Sequence, residues 1–398
     1  MTTAYFDTIQ FIEQPNQELN LKLMQKSFVD ISYEYELVTD FLCQFTDNSF
    51  KSYRSSCNTF FVWLYDYYQK ALLDVTKRDI AKFVKWLRNP PAELIARSPQ
   101  PTHKGSLRSL NVNWRPFVNN DSTKDYRIKD ASLRTNLLNI SALFRFLIDE
   151  DVIDKNPVSQ YLRNNRTLTK SGESESLRYL TTKQWHYCYK AALRSAENEP
   201  DIHERTLFLI TSMYAGYLRI SEVSDRPGYS CCWNQFQEMS GYWVLNVPRS
   251  KFGKSRQIEV CEDWLKAIIR YRKYLGLSPL PTNDDKPIFI RHKIASRGDK
   301  KGQIDVNLSA SRIFEIVKQV FEFAAQLAEE NNDLSDASVL RIATPHWLRH
   351  SGISHDVERG RPLSHIQQNA GHADLTATSR YVHSTSSERY QSLVNKKI

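Results

Sequence analysis

Five short runs, far apart in the chain, carry side chains suited to attack on a phosphodiester. They are Ala215 to Val223 (with Arg219, Ser221 and Glu222), Lys251 to Arg256, His346 to His350 (with Arg349), Gly371–His372, and Tyr381 to His383. Breaking and rejoining such a bond without ATP requires that its energy be kept, and a covalent link to a protein nucleophile keeps it. Tyr381 can be that nucleophile, although a phenol ionising near ~10 needs a neighbour to take its proton. Arg219 and Arg349 suit the nonbridging oxygens, because a rigid guanidinium fork pairs two donors with two oxygens. Lys251, in a turn between two strand-like segments, is the candidate to protonate the departing 5′ oxygen. His346 and His372 can donate to the phosphate or carry the nucleophile's proton, and the choice of general base between them stays open. His346 and Arg349 lie three apart, so a helix would put both on one face. Arginines can take over a metal's part in charge stabilisation, so the expectation is no metal and no other cofactor.

Each residue alone would be ordinary. Tyr381 is one of twenty tyrosines, and Tyr390 competes with it. Lys254 competes with Lys251, and the spacing to Arg256 favours Lys251. Glu222 reads as a structural partner that orients an arginine or closes a cap. His350, His355, His365 and His383 read as solvated or packed, His350 as a buried hydrogen-bonding residue. Gly253–Lys254–Ser255 looks like the end of a phosphate loop, but Pro248 stands where that loop needs glycine.

The five runs in this order resemble the tyrosine recombinase family, also called phage integrases. The resemblance spans roughly residues 35–383 and is sharp only in the C-terminal part. It implies that Arg219, Lys251, His346, Arg349, His372 and Tyr381 are catalytic. Two departures stand out. Tyr217 occupies a position that is often glycine in the family, and the interval from Arg219 to His346 is long, which points to insertions near 280–306 and 328–340. The family implies a mainly α fold: an N-terminal helical core-binding domain, then a mostly helical catalytic domain with a small antiparallel β-sheet. The two would form a C-shaped clamp on DNA. It implies duplex DNA with specific core sites as partner, a homodimer on each site, a homotetramer in the synapse, and accessory DNA-bending proteins. The product of cleavage would be a 3′-phosphotyrosine.

The elements that must position these residues follow from patterning. Residues 1–29 are polar and read as an N-terminal arm. A helical core-binding domain is expected over 30–157, with apolar residues at helical spacing in 53–64, 74–87 and 131–150 and a loop at 92–125. The polar stretch 158–180 reads as a linker, 181–383 as the catalytic domain and 384–398 as a tail. In the catalytic domain, helices are predicted from Thr181–Thr182 to Arg194, at 205–226, 264–274, 310–329, 346–359, 363–370 and 376–382. Tyr242 to Val247 and Ile258 to Val260 read as strands flanking the Lys251 turn.

Composition bounds the rest. With 398 residues and 41% hydrophobic residues, two or more globular domains are expected. The net charge of +9 favours a polyanionic partner. The six cysteines lack metal spacing and read as free thiols of a reducing cytoplasm. No segment reads as a signal peptide or a membrane span, so a cytoplasmic location is expected, and the integrase resemblance implies a bacterial, nucleoid-associated one. The alternatives are a transposase, a dimer-resolution recombinase or a type IB topoisomerase of the same chemistry, and a DNA-binding protein that has lost catalysis.

Overall fold

The computed structural model describes residues 2–13, 17–24, 31–121, 123–165, 179–226, 228–248, 255–281, 284–292, 294, 302–372, 378 and 381. The chain divides into two units, Met1–Ser174 and Glu175–Ile398, each with its own core. Both are mainly helical, and the second carries a three-stranded antiparallel sheet. Among the described residues no helix is long and apolar enough to cross a membrane, and all six cysteines are free.

In the first unit, helices run over Gln17–Met24 (α1), Ile31–Cys43 (α2), Asp47–Phe61 (α3), Lys77–Arg88 (α4), Asp130–Asp149 (α5) and Pro157–Asn164 (α6). A π-helical turn, Val62–Tyr68, extends α3. Thr76 and Asp79 cap α4 reciprocally, which satisfies donors its first turn would otherwise leave free. Part of the stretch read as an arm packs into the first core. Ala4, Tyr5 and Phe6 are fully buried, and the backbone N–H groups of Tyr5 and Phe6 donate to Asn58 Oδ1 at 2.7 and 2.9 Å. The predicted loop at 92–125 contains short strand pairs, with Ile95–Ala96 (β1) parallel to Phe117–Val118 (β4) and His103–Lys104 (β2) antiparallel to Ser109–Leu110 (β3). The predicted linker starts too early. Asn156 caps α6, and Val158 and Leu162 are buried in the first core. At the other end, Leu180 is fully buried in the second core and donates its N–H to Ser351 Oγ at 2.9 Å.

The second unit opens with Thr182–Asn198 (α7), capped by Thr181, whose Oγ1 accepts from Gln184 N. Pro200–Ala215 (α8) and the short Ile220–Val223 (α9) follow. The sheet is β5 (Phe236–Met239), β6 (Tyr242–Val247) and β7 (Arg256–Glu259), in that order. Sequence patterning missed β5, whose Gln237, Glu238 and Met239 are exposed on an edge strand. The turn that joins β6 to β7, with Lys251, lies outside the described residues, as does most of the helix predicted at 376–382. Helices Glu262–Tyr274 (α10), Ala310–Glu330 (α11), Leu334–Ile342 (α12), Pro345–Glu358 (α13) and Leu363–Ala370 (α14) complete the unit. The stretch read as an insertion at 328–340 is the end of α11 plus α12, which packs on it and buries Leu340.

α13 crosses the middle of this unit. Nine of its residues, from Pro345 to His355, are buried. Gly352 allows this: a Cβ there would come within 2.1 Å of the Tyr214 carbonyl at the end of α8. The two helices therefore approach closely at the end of α8, just before Tyr217 and Arg219.

Candidate active site

Arg219 stands at the N-cap of α9 in an extended conformation. Its N–H donates to Glu222 Oε2 at 2.8 Å, and its Nη1 to Oε1 at 3.1 Å. Glu222 is 3% exposed and also receives Arg256 Nη1 at 2.8 Å and Nη2 at 2.9 Å. Burial opposes its ionisation, but the hydrogen bond and charge of Arg256, with those of Arg219, outweigh burial and pull its carboxyl down to about 2. Glu222 is thus an anion clasped by two arginines, one from the Arg219 run and one from β7.

Arg256 reaches a third element. Its Nε donates to the Asn369 carbonyl near the end of α14 at 2.8 Å. The next turn needs glycine: Gly371 has φ +64°, and a Cβ there would sit 2.9 Å from Arg256 Cδ. His372 follows directly. Its Nδ1 is 2.8 Å from Thr378 Oγ1, and its ring stacks on Tyr381 with 6.2 Å between centroids.

Tyr217 explains one departure from the family pattern. Its φ of +49° lies in the left-handed region that favours glycine. Its ring is buried in a small cluster with Ile353, Ile366, Ala370 and Tyr381. The hydroxyl donates to the Asp356 carboxylate and accepts from Arg361 Nη1 at 2.9 Å. The side chain thus gains a packed, hydrogen-bonded site against the backbone strain.

Arg349 is 1% exposed. One Nη donates to the Tyr217 carbonyl and the other to that of Ala370, the latter at 2.6 Å. Burial, then the charge of Arg219, lowers its pKa to about 9. One guanidinium so locks the strained Tyr217 turn to the end of α14. Desolvation, then the charges of Arg349 and Arg219, shifts His346, one turn earlier on α13, below the ordinary imidazole range. The Tyr381 ring is 4% exposed, and its hydroxyl is hydrogen bonded to His350 Nδ1.

Five of the six predicted site residues, Arg219, His346, Arg349, His372 and Tyr381, are thus gathered at one place by α9, α13 and the turn after α14. The sixth, Lys251, lies outside the described residues. Two further members, Arg256 and His350, were not among the six: the sequence used Arg256 only as a spacing mark for Lys251 and read His350 as a buried hydrogen-bonding residue. His350 carried a signal, since it falls one helical turn after His346 and its ring meets that ring edge-on at 4.3 Å. Arg256 carried none, because its partners Glu222 and Asn369 are remote in sequence. Chemically, three guanidinium groups against one buried carboxylate leave net positive charge where a phosphate oxyanion could be stabilised, in a site walled by protein. Among the described residues no three His, Cys, Asp or Glu side chains gather in a metal-binding group.

Comparison with known proteins identifies the family of the chain. The model of the phage integrase family matches residues 178–388, more than half of the chain. Tyrosine recombinase XerD of Rickettsia conorii is 26% identical over 283 residues, which cover 70% of this chain and 82% of that one. Tyrosine recombinase XerC of Erythrobacter litoralis is 25% identical over 264 residues, 64% of this chain and 68% of the relative. Among solved structures, the XerH site-specific recombinase in its post-cleavage complex with a palindromic difH substrate shares the fold. Its TM-score is 0.54 at 14% identity, with 87% of this chain and 79% of that one covered. With an arginine–histidine–tyrosine cluster assembled inside the matched region, the chain belongs to the phage integrase family and is a site-specific recombinase that cleaves and rejoins DNA through a tyrosine.

Proposed function

We propose that Tyr381 attacks the scissile phosphate of a specific core site in duplex DNA, leaving a 3′-phosphotyrosine and a free 5′-hydroxyl. The observation that supports this most is the placement of its buried hydroxyl against a histidine and beside the arginine cluster. Arg219 and Arg349 bind the nonbridging oxygens and stabilise the charge that grows on them in the transition state. Lys251 delivers a proton to the leaving 5′ oxygen, and His346 and His372 donate to the phosphate. Glu222 and Arg256 hold Arg219 and the His372 turn in register. In this reading two copies act on each core site and four in the synapse, in the cytoplasm of a bacterium, on nucleoid DNA.

A nicked suicide duplex tests the proposal, because loss of the short 5′ fragment traps the covalent adduct. Mass spectrometry of the digested adduct is expected to find the nucleotide on the peptide containing Tyr381. Tyr381→Phe is expected to bind the duplex and form no adduct. A nucleotide on Tyr390, or normal cleavage by Tyr381→Phe, overturns the assignment.

A further inference from the structure

The chemistry above needs a group that takes the phenol proton of Tyr381, and the sequence left two histidines for it. The structure places a third at the reacting atom. His350 projects from α13 one turn after His346, and its Nδ1 is hydrogen bonded to the Tyr381 hydroxyl. Their ring centroids are 5.5 Å apart. The other two histidines are arranged differently. His372 turns its Nδ1 to Thr378 and lies parallel to the tyrosine, ring over ring at 14°. His346 packs against His350 nearly perpendicular, at 83°. A stacked ring offers its face to a neighbour, whereas a proton acceptor must offer a nitrogen lone pair within hydrogen-bond reach.

We propose that His350 is the catalytic residue that deprotonates Tyr381 on cleavage and returns the proton on rejoining. The inference rests on Tyr381 being the nucleophile. In cleavage the O–H bond of Tyr381 breaks and its proton goes to His350 Nδ1, giving an imidazolium. The phenolate oxygen forms a bond to phosphorus. The bond from phosphorus to the 5′ oxygen breaks, its electron pair stays on that oxygen, and the oxygen takes a proton from the general acid, Lys251 in the reading above. Rejoining runs the same steps backwards, with the imidazolium protonating the departing phenolate.

The surroundings suit a neutral imidazole in the resting enzyme. Burial, then the charges of His346, Arg349 and His372, pushes His350 down to about 4, so Nδ1 keeps its lone pair at neutral pH. Its acceptor role fixes the tautomer with the proton on Nε2. The scissile phosphate then brings the negative charge that favours the imidazolium as the reaction proceeds.

The test uses the full chain on the nicked duplex, with wild type as the reference. Adduct formation at Tyr381 in wild type establishes the nucleophile separately, so its absence would sink the earlier reading and not this one alone. His350→Asn keeps a polar atom near the Nδ1 position but cannot take a proton. It is expected to melt near wild type, bind DNA, and cleave about 10²- to 10⁴-fold more slowly, the usual range for a lost general base. Two readouts separate this role from packing. Incorporating a fluorinated tyrosine at position 381, whose phenol ionises below the usual ~10, is expected to speed His350→Asn far more than wild type. A substrate with sulfur at the 5′ bridging position, whose departure needs no acid, is expected to leave the His350→Asn defect in place. Wild-type cleavage by His350→Asn overturns the proposal. So does an equal effect of fluorotyrosine in both proteins, or rescue by the bridging sulfur, which would move His350 to the leaving group. If His350→Asn does not fold, His350→Gln is read by the same criteria.

Discussion

Replacing Glu222 by glutamine removes one charge and almost no volume from the point where three active-site elements meet. The carboxylate is 3% exposed, accepts three arginine N–H groups within 3.1 Å, and holds the Arg219 N–H at 2.8 Å. Two routes give the cost. Its pKa moves from 4.5 to about 2 on folding, and at ~1.4 kcal/mol per unit this corresponds to about 3 kcal/mol of stability at neutral pH. Removing one partner of a buried ion pair costs about 3–5 kcal/mol. The routes agree because they count the same loss, since Arg256, whose side chain is 10% exposed, keeps its charge without a counterion. For a unit of this size 1 kcal/mol shifts a melting temperature by about 2–4 °C, so Glu222→Gln is expected to lower the melting of the C-terminal unit by about 6–12 °C. The assay is thermal unfolding of the full chain followed by tryptophan fluorescence, beside single-turnover cleavage of the nicked duplex. Cleavage is expected to fall as well, since Arg219 and the His372 turn lose their common tie. The sign in pH follows from the lowered pKa: the contribution is complete above about 4.5 and disappears as pH falls toward about 2. Wild-type melting with wild-type cleavage would refute the idea that Glu222 organises the site.

Arg219→Ala is expected to fold normally and lose cleavage, because its side chain is 37% exposed. Arg349→Ala is expected to lose cleavage and stability together, since the Tyr217 and Ala370 carbonyls lose their donor, at about 1–3 kcal/mol per unsatisfied buried group; thermal melts beside cleavage rates separate the two. Burial, followed by neighbouring cations, lowers both His350 and His372 from 6.5 to about 4. The unfolded chain therefore binds protons first, and stability present above about 6.5 should decline as pH falls toward about 4. Urea midpoints at neutral and mildly acidic pH check this, and an unchanged midpoint would contradict the buried neutral state. Cleavage is expected to proceed in EDTA without ATP, because guanidinium groups carry the phosphate charge; abolition by EDTA with recovery in magnesium would contradict this.

What could be read from the sequence, and what could not, divides along a physical line. Arg219, His346, Arg349 and His372 were legible as candidates because each sits in a short run whose neighbours position it locally, by an N-cap, one helix turn or a glycine C-cap. The amphipathic helix α4 was legible because its apolar residues Ile80, Phe83, Val84 and Leu87 repeat at helical spacing on one buried side. The burial of Ala4, Tyr5 and Phe6 was not, since it depends on Asn58 in another helix. α13 shows why periodicity fails where function is densest. From Trp347 to His355 it is buried except for the half-buried His350, yet this stretch carries Arg349, His350, Ser351 and His355, so its hydropathy has no face to reveal. What allows polar groups into that position is a set of distant partners. Ser351 Oγ receives Leu180 N, His355 bridges Tyr214 and the Leu180 carbonyl, Arg349 binds the Tyr217 and Ala370 carbonyls, and His350 meets Tyr381. A buried polar group is tolerated only when hydrogen bonded. A helix with this composition therefore has to be surrounded by the elements it is bonded to, and the need to satisfy α13 is what draws the Tyr217 turn, the end of α14 and Tyr381 to one site.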